Sequence, residues 1–548
     1  MPSDAAPRPL LPLWAAVPVS AAGGLLLDVA FPSVAWWPMA FISVALGLLA
    51  LIGRRVGGAF LAGLAYGLAF YLMNVDFTSE WVGPLPWLAL SGFEALFVAA
   101  GAVLVALAYR WVPRAAPGRR ARLVLLPALV AGLWTAREAV TGGFPYGGFP
   151  WGRVGTSQVN GPLIEVVSWT GTAGLTFLVV AVVAAAIEMV RMPRRGRSRG
   201  YRNLLPPIAL AMVVAVLTLV PAWQTTPAGV MRVASVQGNG PAGYFDERTA
   251  GDVLETQYEA TMPLFGAEGV DVVLWPEGSV DLDPAESPAA ASALDRVSRQ
   301  LDAPLLANRV DQRGDAYFNM SFLWRAGEGV EQTYDKRNPV PFGEYVPDRQ
   351  FYDSIAPDLI RMIGRDYTPG RNTPVFDIDG TPAGLAICFD VIYDALVWEG
   401  ARDGARVYLF QTNNADFRGT DENLQQLAVA RLRAIETGRA VVNLSTVGTS
   451  QVIATDGTTI EGLPADEPGH MLTDVPLHTG LTPAVIIGPW LNAVLSWGSV
   501  AALLALGLIV RLRARENAGP VGPASRIRDQ ALSLSTVMSS PAPRRART

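Results

Sequence analysis

Hydrophobic residues fall into two regimes along this chain. Apolar runs near the ~20 residues that cross a bilayer occupy roughly 11–28, 35–53, 57–75, 87–109, 123–142, 162–190 and 204–223, and an eighth occupies about 484–510. Between the last two lie some 250 residues of mixed composition, where short apolar runs alternate with amphipathic ones. There "VMRVASVQGN" and "VDVVLWPEG" predict buried strands, with "DERTAGDVLETQYEATMPLF" helical between them. "PAAASALDRVSRQLD" predicts a second helix, followed by a strand at "APLLANRV". Farther on, "GLAICFD" and "RVYLFQTN" predict strands, "NLQQLAVARLRAIETGR" a helix, and "SQVIATDGTTIEG" a hairpin turning at Asp456-Gly457.

The expected fold is therefore a bundle of eight transmembrane helices joined to an α/β domain with a mixed sheet. The divisions are an N-terminal tail at 1–8, seven spans within 9–224, the α/β domain at 229–480, an eighth span at 484–512, and a tail at 516–548. That last stretch is rich in Pro, Ser and Arg and is expected to be disordered. No internal repeat is visible.

Arginine placement orients the bundle. Arg8, the pair Arg54 and Arg55, the cluster from Arg110 to Arg122, the cluster from Arg191 to Arg202, and Arg511, Arg513 and Arg515 all fall on one side if the N-terminus is cytoplasmic. The opposite loops carry only Arg153, which puts the α/β domain on the extracytoplasmic face of the cytoplasmic membrane. A cleavable signal peptide is not expected, because further membrane-length runs follow the first.

Composition agrees with a split chain. At 548 residues, 51% hydrophobic, 17% charged and a mean hydropathy of +0.29, it is too apolar for an ordinary soluble enzyme and too charged for a bare bundle. A net charge of −5 gives no reason to expect nucleic acid. One cysteine excludes an intrachain disulfide, and two histidines, His470 and His478, provide no metal-ligand cluster. Neither metal nor cofactor is expected.

The single lysine stands out. The chain has 43 basic residues, and all but Lys336 are arginine. A compact ammonium suits a site where one charge sits close to an oxyanion, whereas guanidinium is a broad planar fork. Cys388, the single cysteine, follows an apolar strand in "GLAICFDVIYD", and a strand-to-helix elbow suits a nucleophile. Isolated cysteines are more often small buried core residues. Glu277 in "VVLWPEGSV" follows another buried strand and a rigid Trp-Pro; elsewhere such an acid would read as a helix-start or surface charge. Together the three make a site without histidine: a carboxylate to take the thiol proton, a thiol to attack, an ammonium to hold developing negative charge.

"WPEGS", "DKRNPVPFGEYVP" and "AICFD" resemble, in order and spacing, the Glu, Lys and Cys motifs of the nitrilase, or carbon-nitrogen hydrolase, superfamily, an αββα sandwich. "FPSVAWWPMAF", "GLAYGLAFYLMNVDFTSEWVG" and "GGFPWGRVGTSQVNGPLIEVVSWTGTAGLTFLV" resemble the N-terminal spans of the apolipoprotein N-acyltransferase family. The resemblance covers about 10–510. It implies ping-pong acyl transfer from a membrane phospholipid, through a Cys388 thioester, to the N-terminal amine of a diacylglyceryl-cysteine lipoprotein. Glu277 would be the general base and Lys336 the oxyanion cation.

The same resemblance makes Glu344 and Asn319 supporting residues, together with Phe389 and Asp390, which stand where many relatives have tyrosine and glutamate. Trp151, Phe342, Tyr345 and Asp416 are the candidate substrate-binding residues. Asp416 replaces an aromatic usual in the family, and Asn338 stands where histidine is more usual. Arg137 and Glu138, inside the fifth span, are expected to pair or to meet a phospholipid headgroup. Phe149 and Trp151 are interfacial aromatics or wall residues of a lipid opening. His470 and His478 are given no role. Three alternatives stay open on the residues alone: a membrane-tethered nitrilase-type amidase, a catalytically silent lipoprotein-binding scaffold, and a transporter, though no interrupted repeat pair supports the last.

Overall fold

The computed structural model describes residues 8–192 and 200–517. The expected tails at 1–8 and 516–548 lie almost wholly outside the described residues.

Helices occupy all eight apolar runs. They are α1 (Leu13–Asp28), α2 (Pro38–Leu51), α3 (Val56–Asn74), the short α4 (Thr78–Val82), α5 (Pro84–Ala115), α6 (Leu126–Thr141), α7 (Val167–Arg191) and α8 (Gly200–Leu219), with a final continuous stretch described below. Five segments are long and apolar enough to cross a membrane: Val56–Asn74, Pro84–Ala115, Ala121–Thr141, Ile164–Arg191 and Pro483–Glu516. The other three predicted spans fold as shorter apolar helices, Leu13–Asp28, Pro38–Leu51 and Leu204–Leu219. Proline bounds the second of these at its start, and Gly53, at φ +76°, follows its end.

The α/β region begins with β1 (Thr226–Gln237), α9 (Asp252–Thr261), β2 (Val272–Leu274), α10 (Pro288–Leu301), β3 (Leu305–Arg313), β4 (Ala316–Arg325) and β5 (Gly329–Asp335). A flap carrying α11 (Arg349–Ile355) and α12 (Pro357–Met362) precedes β6 (Val375–Ile378) and β7 (Thr381–Ile387). Then come α13 (Asp394–Arg402), β8 (Val407–Thr412), α14 (Glu422–Thr437), β9 (Val441–Ser445), β10 (Ser450–Ile453), β11 (Thr459–Leu463) and β12 (Gly469–Thr479). The chain returns to the bundle through α15 (Pro483–Ala493), a π-helical turn and α16 (Ser499–Asn517).

Two six-stranded sheets form, in the orders β12-β1-β2-β3-β4-β5 and β11-β10-β9-β8-β7-β6. Val233, Val272, Leu274 and Leu306 of the first sheet pack with Leu385, Ile387, Leu409 and Val442 of the second in one apolar layer. α9 and α10 cover the outside of the first sheet, and α13 and α14 cover the second. Strands such as β8 are buried at every position because both faces are covered, so they show no alternation.

The helix expected across residues 246–265 is shorter. Gly251 takes φ +103°, and the Thr249 N–H donates to Asp252 Oδ2 at 2.7 Å, starting the helix there. At the other end, Met262–Leu264 tightens into a 3₁₀ turn around Pro263. The predicted hairpin is present as β10 and β11, with Gly457 at φ +81°.

The α13/α14 layer lies between the second sheet and the bundle. Trp151 donates its indole N–H to Gln425 Oε1 of α14 at 2.6 Å, and Arg153 pairs with Asp394 of α13 at 2.8 Å. Arg153, isolated among the loops on its side, thus becomes a tie between the two parts. Buried on both faces, α14 tolerates polar side chains only because each finds a partner.

Candidate active site

The site gathers where strands end. β2 and β3 run parallel in one sheet, and β7, β8 and β9 run parallel in the other, so their carboxyl ends open a common crevice. Trp275-Pro276-Glu277 follows β2, Cys388 follows β7, and Lys336 follows β5. Asn319 lies within β4, whose register sets Met320 opposite Asp335 and so brings Asn319 beside Lys336.

Glu277, Lys336, Asn319 and Glu344 form one hydrogen-bonded cluster. Lys336 Nζ lies 3.3 Å from Glu277 Oε1 and 2.9 Å from Glu344 Oε2. The Asn319 amide donates to Glu277 Oε1 at 2.6 Å and to Glu344 Oε1 at 3.0 Å. Asn319 is itself oriented by Asn308, whose amide nitrogen donates to Asn319 Oδ1 at 2.9 Å while its oxygen receives the Gly278 N–H at 2.8 Å. Glu344 is fixed by the Val340 N–H at 2.8 Å. Lys336 is only 2% exposed, which leaves no room for a bulkier cation.

Burial pushes the Glu277 carboxyl above its ordinary value; the Lys336 charge opposes that shift and the Glu344 charge adds to it. Burial works against the Lys336 ammonium, yet the Glu277 and Glu344 carboxylates outweigh it and hold the amine well above its usual range. Lys336 therefore stays protonated throughout the neutral range.

Cys388 sits at φ +48°, an uncommon conformation for a side-chain-bearing residue, at the turn between β7 and a short 3₁₀ segment. This is the strand-to-helix elbow expected from "GLAICFD". Burial raises the thiol well above its usual pKa, and the Glu277 charge adds to that; Lys336 and a hydrogen bond from Gln426 pull the other way. Gln426 Nε2 donates to Sγ at 3.4 Å, while its Oε1 receives the Asn414 amide at 3.0 Å. Asn414 also donates to Glu422 at 2.7 Å, and burial lifts Glu422 to about 7. Gln426, Asn414 and Asn308 are site residues that the sequence reading misses. The available signal is the pair Gln425-Gln426, which breaks the apolar face of α14 where its period calls for buried residues.

The other candidates divide. Phe389 stacks on Phe149 at 5.9 Å between centroids, and Phe149 stacks on Trp151 at the same distance. Phe77 extends this aromatic wall from Trp151 to Phe417, with centroids 5.5 and 5.4 Å away. Trp151 thus belongs to a row of aromatic rings and bonds Gln425, the neighbour of Gln426 on α14. Asp390 is fully buried.

Phe342 packs against a small apolar cluster of the flap formed by Val346, Ile360 and Ile363. Tyr345 bridges that flap to the bundle loop, donating to the Tyr146 carbonyl at 3.4 Å. Asp416 accepts the Tyr244 N–H at 2.7 Å, anchoring the loop after β1. Burial lifts its carboxyl to about 6. Within the bundle, Glu138 meets Arg137 at 3.5 Å and also receives Trp134 Nε1, the Val154 N–H and the Thr176 hydroxyl. His470 and His478 lie on β12, paired with Val236 and Pro227.

Residues 23–185 match the model of the apolipoprotein N-acyltransferase N-terminal domain, and residues 232–480 match that of the carbon-nitrogen hydrolases. The apolipoprotein N-acyltransferase of Mycolicibacterium smegmatis is 34% identical to this chain, covering 89% of it and 84% of the relative. The chain belongs to the apolipoprotein N-acyltransferase family. The Azotobacter vinelandii member is 30% identical, covering 94% of this chain and 98% of its own. Among solved structures, a mutant of the Nesterenkonia AN1 amidase from the nitrilase superfamily aligns with 46% of this chain and 93% of its own, at 20% identity and a TM-score of 0.35. For a member of this family, the two-sheet region is the nitrilase-like domain and the apolar helices are its membrane part.

Proposed function

We propose that this protein is an N-acyltransferase that moves an acyl chain from a membrane phospholipid to the N-terminal amine of a diacylglyceryl-cysteine lipoprotein, with Glu277, Lys336 and Cys388 as its catalytic residues. The observation that carries the reading is the crevice where these three side chains converge, beside an aromatic wall continuous with the apolar helices. All eight apolar helices sit in the cytoplasmic membrane, and the two-sheet domain stands on its outer face, in line with the arginine distribution.

In the first half-reaction Glu277 takes the Cys388 proton and the thiolate attacks the ester carbonyl of the phospholipid. The resulting oxyanion lies toward the Lys336 ammonium, which is already oriented by Glu344. As the intermediate collapses, the C–O bond breaks and the lysophospholipid alkoxide takes the proton from Glu277, leaving a thioester. In the second half-reaction the lipoprotein amine attacks that thioester and passes a proton to Glu277. The C–S bond then breaks, Cys388 is regenerated as the thiol, and the amide is released. A thiol held well above its usual pKa is a poor nucleophile at neutral pH, so the base is indispensable. Gln426, donating to sulfur, favours the anion both when it forms and when it leaves.

Intact mass of the purified protein after incubation with a defined phospholipid tests this directly. The expected result is a gain of one acyl chain, absent in Cys388→Ser, discharged by a diacylglyceryl-cysteine peptide and persistent in water. An adduct discharged by water alone would point to a hydrolase, and absence of both adduct and lysophospholipid would overturn the proposal.

A further inference from the structure

The acyl acceptor raises a problem of charge that Glu277, Lys336 and Cys388 do not meet. An N-terminal amine, with an ordinary pKa of about 7.7–8.0, is mostly protonated at pH 7, and an ammonium has no lone pair with which to attack a thioester. Glu277 is poorly placed to receive that cation, because Lys336 Nζ already stands 3.3 Å from its carboxylate and repels a second positive charge.

Glu422, which the mechanism above leaves unused, has no such neighbour: among the described residues no basic side chain pairs with it. It is 4% exposed and shares one face of α14 with Gln426, one turn on, whose amide reaches Cys388 Sγ. The Glu422 charge is also felt at that thiol. The two carboxylate oxygens differ. Oε2 accepts the Asn414 amide at 2.7 Å. Asn414 is held in that orientation because its own oxygen receives the Ser445 hydroxyl at 2.6 Å, while the Ser445 oxygen takes the Gly448 N–H at 2.8 Å. Oε1 has no hydrogen-bond partner among the described residues and is not sealed from solvent. With its pKa lifted by burial to about 7, this carboxyl takes a proton from an α-ammonium at little cost.

The same turn of α14 stands against the bundle, where Gln425 bonds Trp151 and donates to the Asn74 carbonyl. Asp421, beside Glu422, lies within electrostatic reach of Asp28 and Asp76, where α1 and α3 end. That field favours an incoming cation over a phosphodiester.

We propose that Glu422 is a further catalytic residue, the carboxylate that binds the α-ammonium of the acceptor and takes its first proton on Oε1. This rests on the acyl-transfer reading and assigns a step within it. The neutral amine then attacks the thioester carbonyl and forms the C–N bond. The second proton goes to Glu277, which returns it to sulfur as the C–S bond breaks. Glu422 releases its proton to solvent, so thioester and ammonium give amide, thiol and one proton.

Single-turnover acylation and deacylation of the purified full chain, parent beside Glu422→Gln, test this. Glutamine keeps an oxygen for Asn414 but takes no proton and carries no charge. Thioester formation from phosphatidylethanolamine and from phosphatidylglycerol is expected not to slow, since the lost negative charge only opposed the thiolate. Discharge by a diacylglyceryl-cysteine peptide should slow about 10–10²-fold, while discharge by hydroxylamine, uncharged at neutral pH, stays as in the parent. Glu422→Asp, which keeps the charge, recovers part of the loss. Unchanged peptide discharge would overturn the inference, as would equal slowing with hydroxylamine, which marks a structural defect. Slower acylation from phosphatidylethanolamine alone would overturn it in favour of the donor's headgroup ammonium. A parent that forms no thioester with either lipid refutes the acyl-transfer reading and the inference with it, a result distinct from normal acylation with unchanged discharge.

Discussion

Asp390 and Asn338 are partners. Asp390 Oδ1 accepts both the backbone N–H and the side-chain amide of Asn338 at 2.9 Å, and Asp390 Oδ2 accepts the Tyr334 hydroxyl at 2.8 Å. Two of the four positions that the resemblance marks as departures, Asn338 and Asp390, therefore meet in one contact, which ties the segment after Lys336 to the elbow after Cys388. Asp390 thus joins Tyr334 and Asn338, which flank the Lys336 segment, to the turn that carries Cys388.

From this pairing, Asp390→Glu and Asn338→His are each expected to slow thioester formation, because an added methylene or ring has no space beside a fully buried carboxylate. The double variant recovers part of the loss. Rates of acyl-enzyme appearance in the four proteins give the coupling, expected at about 1 kcal/mol or more; strict additivity would refute the pairing.

Lys336→Arg is expected to lower the rate of thioester formation by about 10²–10³-fold. The ammonium is enclosed by two carboxylates at 3.3 and 2.9 Å, and a guanidinium does not fit that space. Near-normal acyl-enzyme formation by Lys336→Arg would remove the explanation for the chain's one lysine.

Glu277 must be ionised to accept the thiol proton. Since burial raises its pKa, thioester formation should fall on acidification with a midpoint above the ordinary glutamate value of 4.5. The rate rises with pH through that midpoint because the base form is the active one, while Lys336, held well above its usual range, stays charged. Glu277→Gln should lose this limb along with about 10²–10⁴-fold of the rate, as pre-steady-state acylation across pH would show.

Gln426→Leu removes the hydrogen bond to Sγ and strands the Asn414 amide that Gln426 accepts. Acylation about tenfold slower is expected, with a rise in the pH at which iodoacetamide alkylates Cys388. An unchanged alkylation profile would show that the Gln426 contact does not influence the thiol.

Asp416→Asn keeps an oxygen for the Tyr244 N–H and deletes a carboxyl whose pKa is raised from 3.8 to about 6. A raised acid binds its proton more tightly in the folded state. Its stabilising contribution is therefore complete below the unfolded pKa and is lost as pH climbs toward about 6. The asparagine variant should be more stable at pH 7 by about 1–2 kcal/mol and equal to its parent near pH 4, as denaturant titration at the two pH values would reveal.

The order of apolar runs and the identities of Glu277, Lys336 and Cys388 were legible in the sequence, because each rests on local information. A membrane-length run is a property of consecutive residues, and a single lysine or cysteine is visible by itself. Strand ends could be placed as well, since "VVLWPE" and "GLAICF" carry their burial in continuous apolar runs. Tertiary structure decided the rest. Gln426 reaches Cys388 across 38 positions, Asn338 reaches Asp390 across 52, and Trp151 reaches Gln425 across 274. Which loops meet at the carboxyl ends of the strands depends on how two sheets stack, and no periodicity records that. Phe342 makes the same point: its φ of +61° and its packing against Val346, Ile360 and Ile363 of the flap are not visible in its motif. Sequence specified the chemistry because reactive groups are residue types; the fold chose their partners because hydrogen bonds join atoms that only packing brings together.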